Sequence, residues 1–186
     1  KRLNDQSNWG VYHSSRGAGK SLFLNLTNAE IDNPTYYNDT EPTSTVFTLG
    51  GSNESNGLNG DTYIAYCWTE IPGYSKFGTF IGNGSSDGAY VKLGFRPALI
   101  LLKRTSSANW TLWDNKRDSY NPIQRFIYTD LNNGEGSGTD RVDFVSDGIK
   151  WRNSNTKWNA SGGEYVYMAW AEQTGTTPFR TSTNSR

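Results

Sequence analysis

The residues able to act as a nucleophile or a base are few and poorly placed for catalysis. The chain has one histidine, His13, which lies in the run VYHSSR beside Ser14 and Ser15. A serine nucleophile needs a histidine that approaches it in a defined geometry, and adjacency in sequence does not supply that geometry. We therefore interpret His13 as a structural residue.

Two other catalytic motifs, a glycosidase carboxylate pair and a phosphate loop, are also incomplete. Glycoside hydrolysis needs two carboxylates roughly 5 to 10 Å apart across the sugar. Glu70 and Glu172 stand at the ends of two similar segments, and we interpret them as polar residues that terminate strands. The run Gly17–Ser21 (GAGKS) lacks the opening glycine of a phosphate loop, because Ser14 stands at that position. We predict that the chain is not an enzyme, with a polysaccharide depolymerase as the less favoured alternative.

Carbohydrate binding is the more specific ligand hypothesis. A sugar site stacks an aromatic ring under the C–H face of the sugar and surrounds it with polar side chains. The predicted ligand-binding residues are Trp113, Asp114, Arg117, Tyr120, Asn121, Trp151 and Trp158. Trp110 and Trp113 point to opposite faces of an extended segment, and we expect Trp110 in the core and Trp113 exposed. The alternative is that these aromatic residues fill the core or a subunit interface.

A calcium site is a further candidate, and no other cofactor is predicted. Hard oxygen ligands from loops suit Ca²⁺. The first set is Asp114, Asn115 and Asp118, and a second set is Asp61, Asn59 and Asn56. Such residues also make turns without any metal.

The composition favours short strands joined by many turns. Glycine is abundant, aromatic residues make up 14% of the chain, and the formal net charge is zero. Zero charge without a basic block argues against non-specific nucleic-acid binding, and no apolar stretch reaches the roughly 20 residues of a membrane-spanning helix. The single cysteine, Cys67, lies in an apolar run and is predicted to be buried.

The apolar patterns predict an all-β chain of antiparallel strands. The clearest predicted strands are Thr62–Thr69, Ala98–Lys103 and Glu164–Ala171. Weaker ones are Gly78–Ile81, Ala89–Leu93, Trp110–Trp113, Gln124–Tyr128, Arg141–Val145 and Ile149–Arg152. Turn dipeptides such as Asp147-Gly148 separate them.

The chain also contains an internal repeat with a spacing of about 100 residues. Lys1-Arg2 corresponds to Lys103-Arg104, Trp9 to Trp110, and GDTYIAYCWTE to GGEYVYMAWAE. We therefore predict a first β module (1–72) without its opening strands, a complete second module (73–172) and a tail (173–186). Either an upstream piece was cut away, another chain completes the sheet, or both copies fuse into one sandwich.

The run GYSKFGTFIGNGSSDGAYVKLGFRPALILLKRT (73–105), with the strand YVYMAWAE and the tail residues Pro178-Phe179-Arg180, resembles a tandemly repeated, uncharacterised domain of marine bacteriophage structural proteins of the tail-fibre type. The resemblance implies a β-sandwich like that of concanavalin A or laminin G, and a chain that ends at Arg186. It also implies a protein that is made in the host cytoplasm and lies on the virion surface. We expect oligomers, contacts with other virion subunits and binding of host-surface carbohydrate, with a purely structural role as the alternative.

Overall fold

The structure is a computed structural model that describes residues 1–57, 59–139 and 141–172, and the regular secondary structure of this part of the chain is almost entirely β. The predicted tail, including Pro178-Phe179-Arg180, lies outside the described residues. The strands are β1 (Gly10–Val11), β2 (Lys20–Phe23), β3 (Ile31–Asp32), β4 (Ser75–Ile81), β5 (Tyr90–Lys92), β6 (Pro97–Arg104), β7 (Thr111–Asp114), β8 (Phe126–Tyr128), β9 (Val142–Val145), β10 (Gly148–Trp151) and β11 (Glu164–Ala171), with one short helix, α1 (Thr156–Asn159).

Residues 75–171 form two facing antiparallel sheets. One sheet has five strands in the order β4-β11-β6-β7-β8, and the other has three in the order β5-β10-β9. Apolar residues from both sheets meet in one core that includes Ile100, Phe144 and Ile149, all fully buried. The two-residue turn between β9 and β10 contains Asp147, as the Asp-Gly signal predicts.

The central strand β11 is apolar on both of its faces. Tyr165, Tyr167 and Ala169 point into the core between the two sheets, whereas Val166 and Met168 belong to a second apolar cluster on the opposite face. Alternation along a strand sends successive side chains to opposite faces. The five-stranded sheet is therefore covered on both sides.

Residues 1–33 provide the second cover as a small sheet in the order β1-β2-β3. Leu22 of β2 packs with Trp110, Val166 and Met168. The indole Nε1 of Trp110 donates a hydrogen bond to the Phe23 carbonyl oxygen at 2.7 Å. The described chain thus stacks three antiparallel layers, with the five-stranded sheet in the middle.

The hairpin β1–β2 repeats the hydrogen bonding of the hairpin β7–β8. The carbonyl oxygen of Trp9 accepts from Leu24 N at 2.9 Å, and that of Trp110 accepts from Thr129 N at 3.1 Å. The next pairs, Val11 with Leu22 and Leu112 with Ile127, follow in the same register. The segment enclosed by Trp110 and Thr129 is four residues longer than the segment enclosed by Trp9 and Leu24.

Most strand predictions are confirmed. The strand Glu164–Ala171 matches β11 at both ends, and Ala98–Lys103 lies within β6. The six weaker predictions coincide with parts of β4, β5, β7, β8, β9 and β10. The strands of the first 33 residues are not among the predictions.

The prediction of a strand over Thr62–Thr69 is wrong. Tyr63 makes a single bridge to Arg2, and the rest of the segment is irregular. Cys67 is exposed, so the prediction of a buried thiol is also wrong. The apolar pattern is that of a central strand, but among the described residues no strand pairs with residues 65–69.

Candidate functional site

The β7–β8 loop (residues 115–125) carries most of the polar residues predicted to bind a ligand. Two shallow depressions lie on either side of Arg117, with volumes of about 520 and 310 Å³. The first is lined by residues from the end of β7 and the start of β6, including Asp114 and Leu99. The second is lined by Arg117, Asp118, Ser119, Tyr120, Pro122, Gln124 and Arg125.

Tyr120 is the most exposed large aromatic side chain of the described residues, at 80%. The loop beneath it is held by two side chains that bond to the backbone. The Asp118 carboxylate accepts from Gln124 N at 2.7 Å and from Arg125 N at 2.8 Å. Asn121 pairs with both backbone groups of Phe144 on β9, at 2.8 and 2.9 Å. A fixed loop thus presents a free aromatic ring.

Arg117 separates the two depressions and is held between two carboxylates. Its Nε donates to Asp114 at 2.8 Å and its Nη1 to Glu135 at 2.6 Å. The hydrogen bond with Glu135 is the main cause of a raised Arg117 pKa, so the guanidinium stays charged. Asp114 also accepts from the backbone nitrogens of Lys116 and Arg117.

The first hairpin contains the same ion pair. Arg16 corresponds to Arg117, and it donates to Glu30 at 2.6 and 3.0 Å, just as Arg117 donates to Glu135. His13 takes the place of Asp114, because its Nδ1 accepts from Ser15 N at 3.3 Å. An ion pair present in both hairpins favours a role in shaping the loop over a role in direct ligand contact.

The three tryptophans of the predicted site are core residues. Trp113 and Trp151 have no exposed surface and Trp158 has 2%. Trp113 packs edge-on against both of the others, at ring-centroid distances of 6.0 and 5.3 Å. Trp110 and Trp113 do point to opposite faces, but a sheet covers each face. The prediction that these tryptophans offer a stacking surface is therefore wrong.

The calcium candidates Asp114, Asn115 and Asp118 are engaged or buried. The oxygens of Asp114 accept hydrogen bonds from Arg117 Nε and from two backbone nitrogens. The Asp118 carboxylate accepts a hydrogen bond from Gln124 N at the end of the loop. Asn115 is 6% exposed, and its Oδ1 is buried without a hydrogen-bond partner among the described residues. Of the second set, Asp61 forms an ion pair with Arg2. No group of three or more His, Cys, Asp or Glu side chains suited to a metal is present in the described ranges.

The arrangement around His13 is that of a structural residue. Its Nε2 lies 3.1 Å from the Tyr167 carbonyl oxygen while Nδ1 accepts from Ser15 N, which fixes the proton on Nε2. Burial lowers the pKa of His13, so the ring is neutral. A neutral imidazole with both nitrogens bonded to backbone has no free nitrogen to act as a base.

Sequence reasoning missed Gln124 and Arg125, which line the second depression beside Tyr120. They lie just before β8, where the backbone nitrogens of both bond to the Asp118 carboxylate. None of the helices within the described ranges has the length and apolar character needed to cross a membrane.

The comparisons with known proteins return a family and no characterised relative. No curated protein and no solved structure matches the chain. A family model for a domain of unknown function, DUF7483, matches residues 1–174. Because the match covers almost all of the chain, the protein belongs to the DUF7483 family.

Proposed function

We propose that the chain is a non-catalytic surface-binding part of a bacteriophage virion appendage, such as a tail fibre or a surface decoration, and that the β7–β8 loop contacts host-surface glycans. The observation that carries the glycan part is Tyr120, a ring that is 80% exposed on a loop fixed by Asp118 and Asn121. The phage assignment is supported by the resemblance of residues 73–105, and it makes the virion surface the expected location.

The chemistry around Tyr120 suits a neutral sugar. An exposed ring stacks against the C–H face of a pyranose, and nearby donors and acceptors fix the hydroxyl groups. Gln124 and Arg125 stand beside the ring in the second depression and can supply these hydrogen bonds. The charges of the loop and its partners are mixed in sign, with Lys116, Arg117 and Arg125 opposed by Asp114, Asp118 and Glu135.

A hydrolytic role fits this loop poorly. Asp114 lines the first depression, and both Asp114 and Glu135 contact the Arg117 guanidinium. Hydrolysis needs two carboxylates that flank the bond to be cleaved, and these two instead accept hydrogen bonds from one guanidinium. The proposal is therefore one of binding without turnover.

We further propose that the chain consists of two related modules on a concanavalin A-like or laminin G-like plan. The matched hydrogen bonds of Trp9 and Trp110, and the matched ion pairs of Arg16 and Arg117, support this duplication. Weak sites on repeated modules and on several chains of an oligomer raise the overall affinity when they bind together.

The direct test compares Tyr120→Ala with Tyr90→Ala on an array of bacterial-surface glycans. Tyr90 is the matched control, since it is a tyrosine 49% exposed on β5, away from the loop. We expect Tyr120→Ala to weaken binding by about tenfold, the equivalent of one lost stacking contact, and Tyr90→Ala to bind normally.

Two outcomes contradict the glycan proposal, and a third contradicts its non-catalytic part. Equal binding by both variants would move the site elsewhere, and an unmodified protein that retains no glycan would favour the purely structural alternative. Native mass measurement then tests whether the Tyr120→Ala change disrupts an oligomer. Release of new reducing ends from host polysaccharide would overturn the non-catalytic part.

A further inference from the structure

The segment Thr62–Glu70 exposes Tyr66, Cys67 and Trp68, whose counterparts in β11 are buried or partly buried. Tyr66 is 61% exposed and Trp68 60%, and Cys67 is exposed too. The corresponding residues of β11 are Met168, Trp170 and Ala169, of which Met168 is 8% exposed and Ala169 fully buried. The two segments have the same apolar alternation, so their difference in exposure comes from what lies beside them.

The first residues of the segment already pair as β11 does. Ile64 exchanges backbone hydrogen bonds with Lys1, as Val166 is paired with Lys103. Tyr63 is bridged to Arg2, as Tyr165 is paired with Arg104.

The following bond repeats as well. Leu3 N donates to the Thr62 carbonyl oxygen at 2.8 Å, and Thr105 N donates to that of Glu164 at 2.9 Å. The start of a β6-type ladder is therefore present in the same register beside residues 62–64.

The second half of the segment lacks the neighbours that β11 has. In the five-stranded sheet, Tyr167–Ala171 lie between β4 on one side and residues 97–102 of β6 on the other. Among the described residues no strand stands on either side of residues 65–69. Instead, Trp68 contacts Trp170, and Tyr66 stacks between Trp68 and Trp9.

We propose that residues 65–69 are an acceptor for a strand pair, one strand of β4 type and one of β6 type, from a DUF7483 module that adjoins Lys1–Leu3 and is not a second copy of this chain. A segment that has apolar side chains at successive positions and no strand beside it pairs readily with added strands. The register set by Lys1–Leu3 fixes where the β6-type strand lies, and the β4-type strand takes the other edge. The segment then becomes the central strand of a sheet, as β11 is.

The test uses the internal repeat of the chain, in which residues 73–102 precede the counterpart of Lys1-Arg2. A second copy of residues 73–102 is fused directly before Lys1, so that its last leucine leads into Lys1-Arg2 as Leu102 leads into Lys103-Arg104. The control fusion carries the same residues with aspartate replacing the isoleucine and leucine equivalent to Ile100 and Leu102, both buried in β6. The readout is the rate at which Cys67 reacts with a thiol reagent.

Cys67 takes the place of Ala169, so we expect at least a hundredfold slower reaction in the fused chain and a fast reaction in the control. Trp68 emission shifts to shorter wavelength at the same time. A second set of the two fusions carries Cys67→Ser together with Ser119→Cys, which places the thiol in the exposed β7–β8 loop. We expect this thiol to react at the same rate in both fusions.

Equal Cys67 reactivity in the two fusions overturns the proposal. Protection of Cys67 that increases with the concentration of the unfused chain overturns it as well, because a second copy would then be the occupant.

Discussion

Lys103 is an ionisable residue that the fold places in the interior. It has no exposed surface, and its Nζ donates to the carbonyl oxygens of Arg104 and Ser106 at 2.9 and 3.1 Å. Burial is the main cause of a pKa lowered to about 8, partly offset by Asp130. Lys1, its counterpart, bonds in the same way to the Ser7 carbonyl oxygen at 2.6 Å.

The free energy of unfolding should therefore increase between pH 8 and pH 10. In this range the unfolded lysine, with a pKa of about 10.4, still binds a proton that the folded one has lost, so stability rises with pH. The slope for one proton is at most about 1.4 kcal/mol per pH unit. Urea unfolding at pH 8.0 and 9.5 measures it, and a Lys103→Gln protein with the same slope would contradict the assignment.

The aromatic residues show which part of the site a sequence can predict. The run from Asp114 to Asn121 is polar and rich in turn formers, so it correctly marks a surface loop. The burial of Trp113 depends on β9, β10 and α1, which are distant from it in sequence, and Trp158 of α1 is buried against Trp113 and Phe126. Side-chain type alone could not predict the layer that covers them.

At the scale of elements, the short helix α1 fastens two loops through one residue. Asn159 is fully buried, and its Nδ2 lies 2.9 Å from Asn83 Oδ1, 2.9 Å from the Ser85 carbonyl oxygen and 2.8 Å from that of Asn153. Its Oδ1 accepts from Asn83 N at 3.0 Å. The helix therefore closes the end of the core beside Trp151 and Trp158.

We expect Asn159→Ala to lower the free energy of unfolding by about 2 to 4 kcal/mol, because several buried backbone groups lose their partner at once. Thermal unfolding measures the change. The matched control is Asn133→Ala in an exposed loop, which should shift stability by less than about 0.5 kcal/mol. Similar losses in both variants would show that Asn159 does not fasten the loops.

The strand predictions succeed and fail for one physical reason. The alternation of Glu164–Ala171 identifies β11 because β4 and β6 are there to pair with it. Thr62–Thr69 has a matching alternation but no such neighbours among the described residues, so it remains irregular. A pattern of side chains indicates a strand that can form, whereas the hydrogen bonds come from segments elsewhere. The equivalence of Trp9 with Trp110 was the signal that could have identified β1.

At the scale of the whole molecule, His13 joins the outer layer to the middle sheet. It is 4% exposed, and its Nε2 bonds to the backbone of Tyr167 in the centre of β11. The nearby Arg16 strengthens the same junction through ion pairs with Glu30 and Glu164. The interlayer contact is thus polar at its rim and apolar around Leu22 and Trp110.

Acidification should destabilise the fold through this junction. The pKa of folded His13 lies below its ordinary value of 6.5, mainly because of burial, so the unfolded state binds a proton first as pH falls through 6.5. We expect the free energy of unfolding to decrease from pH 7 to pH 5, by at most about 1.4 kcal/mol per unit. His13→Asn should flatten this slope, and an unchanged slope would exclude His13 as its source. The chain has only this histidine, which simplifies the comparison.

The position of β11 in the middle sheet governs the order in which this protein can fold during synthesis. It is the last described strand to leave the ribosome, yet it lies between β4 and β6, which do not pair with each other. While residues 105–163 are being made, β6 can pair with β7, but its other edge and both edges of β4 stay open. Exposed apolar strands of this kind aggregate in partly made chains. The nascent chain therefore depends on prompt completion, because a chain released before Glu164 is made cannot close its sheet.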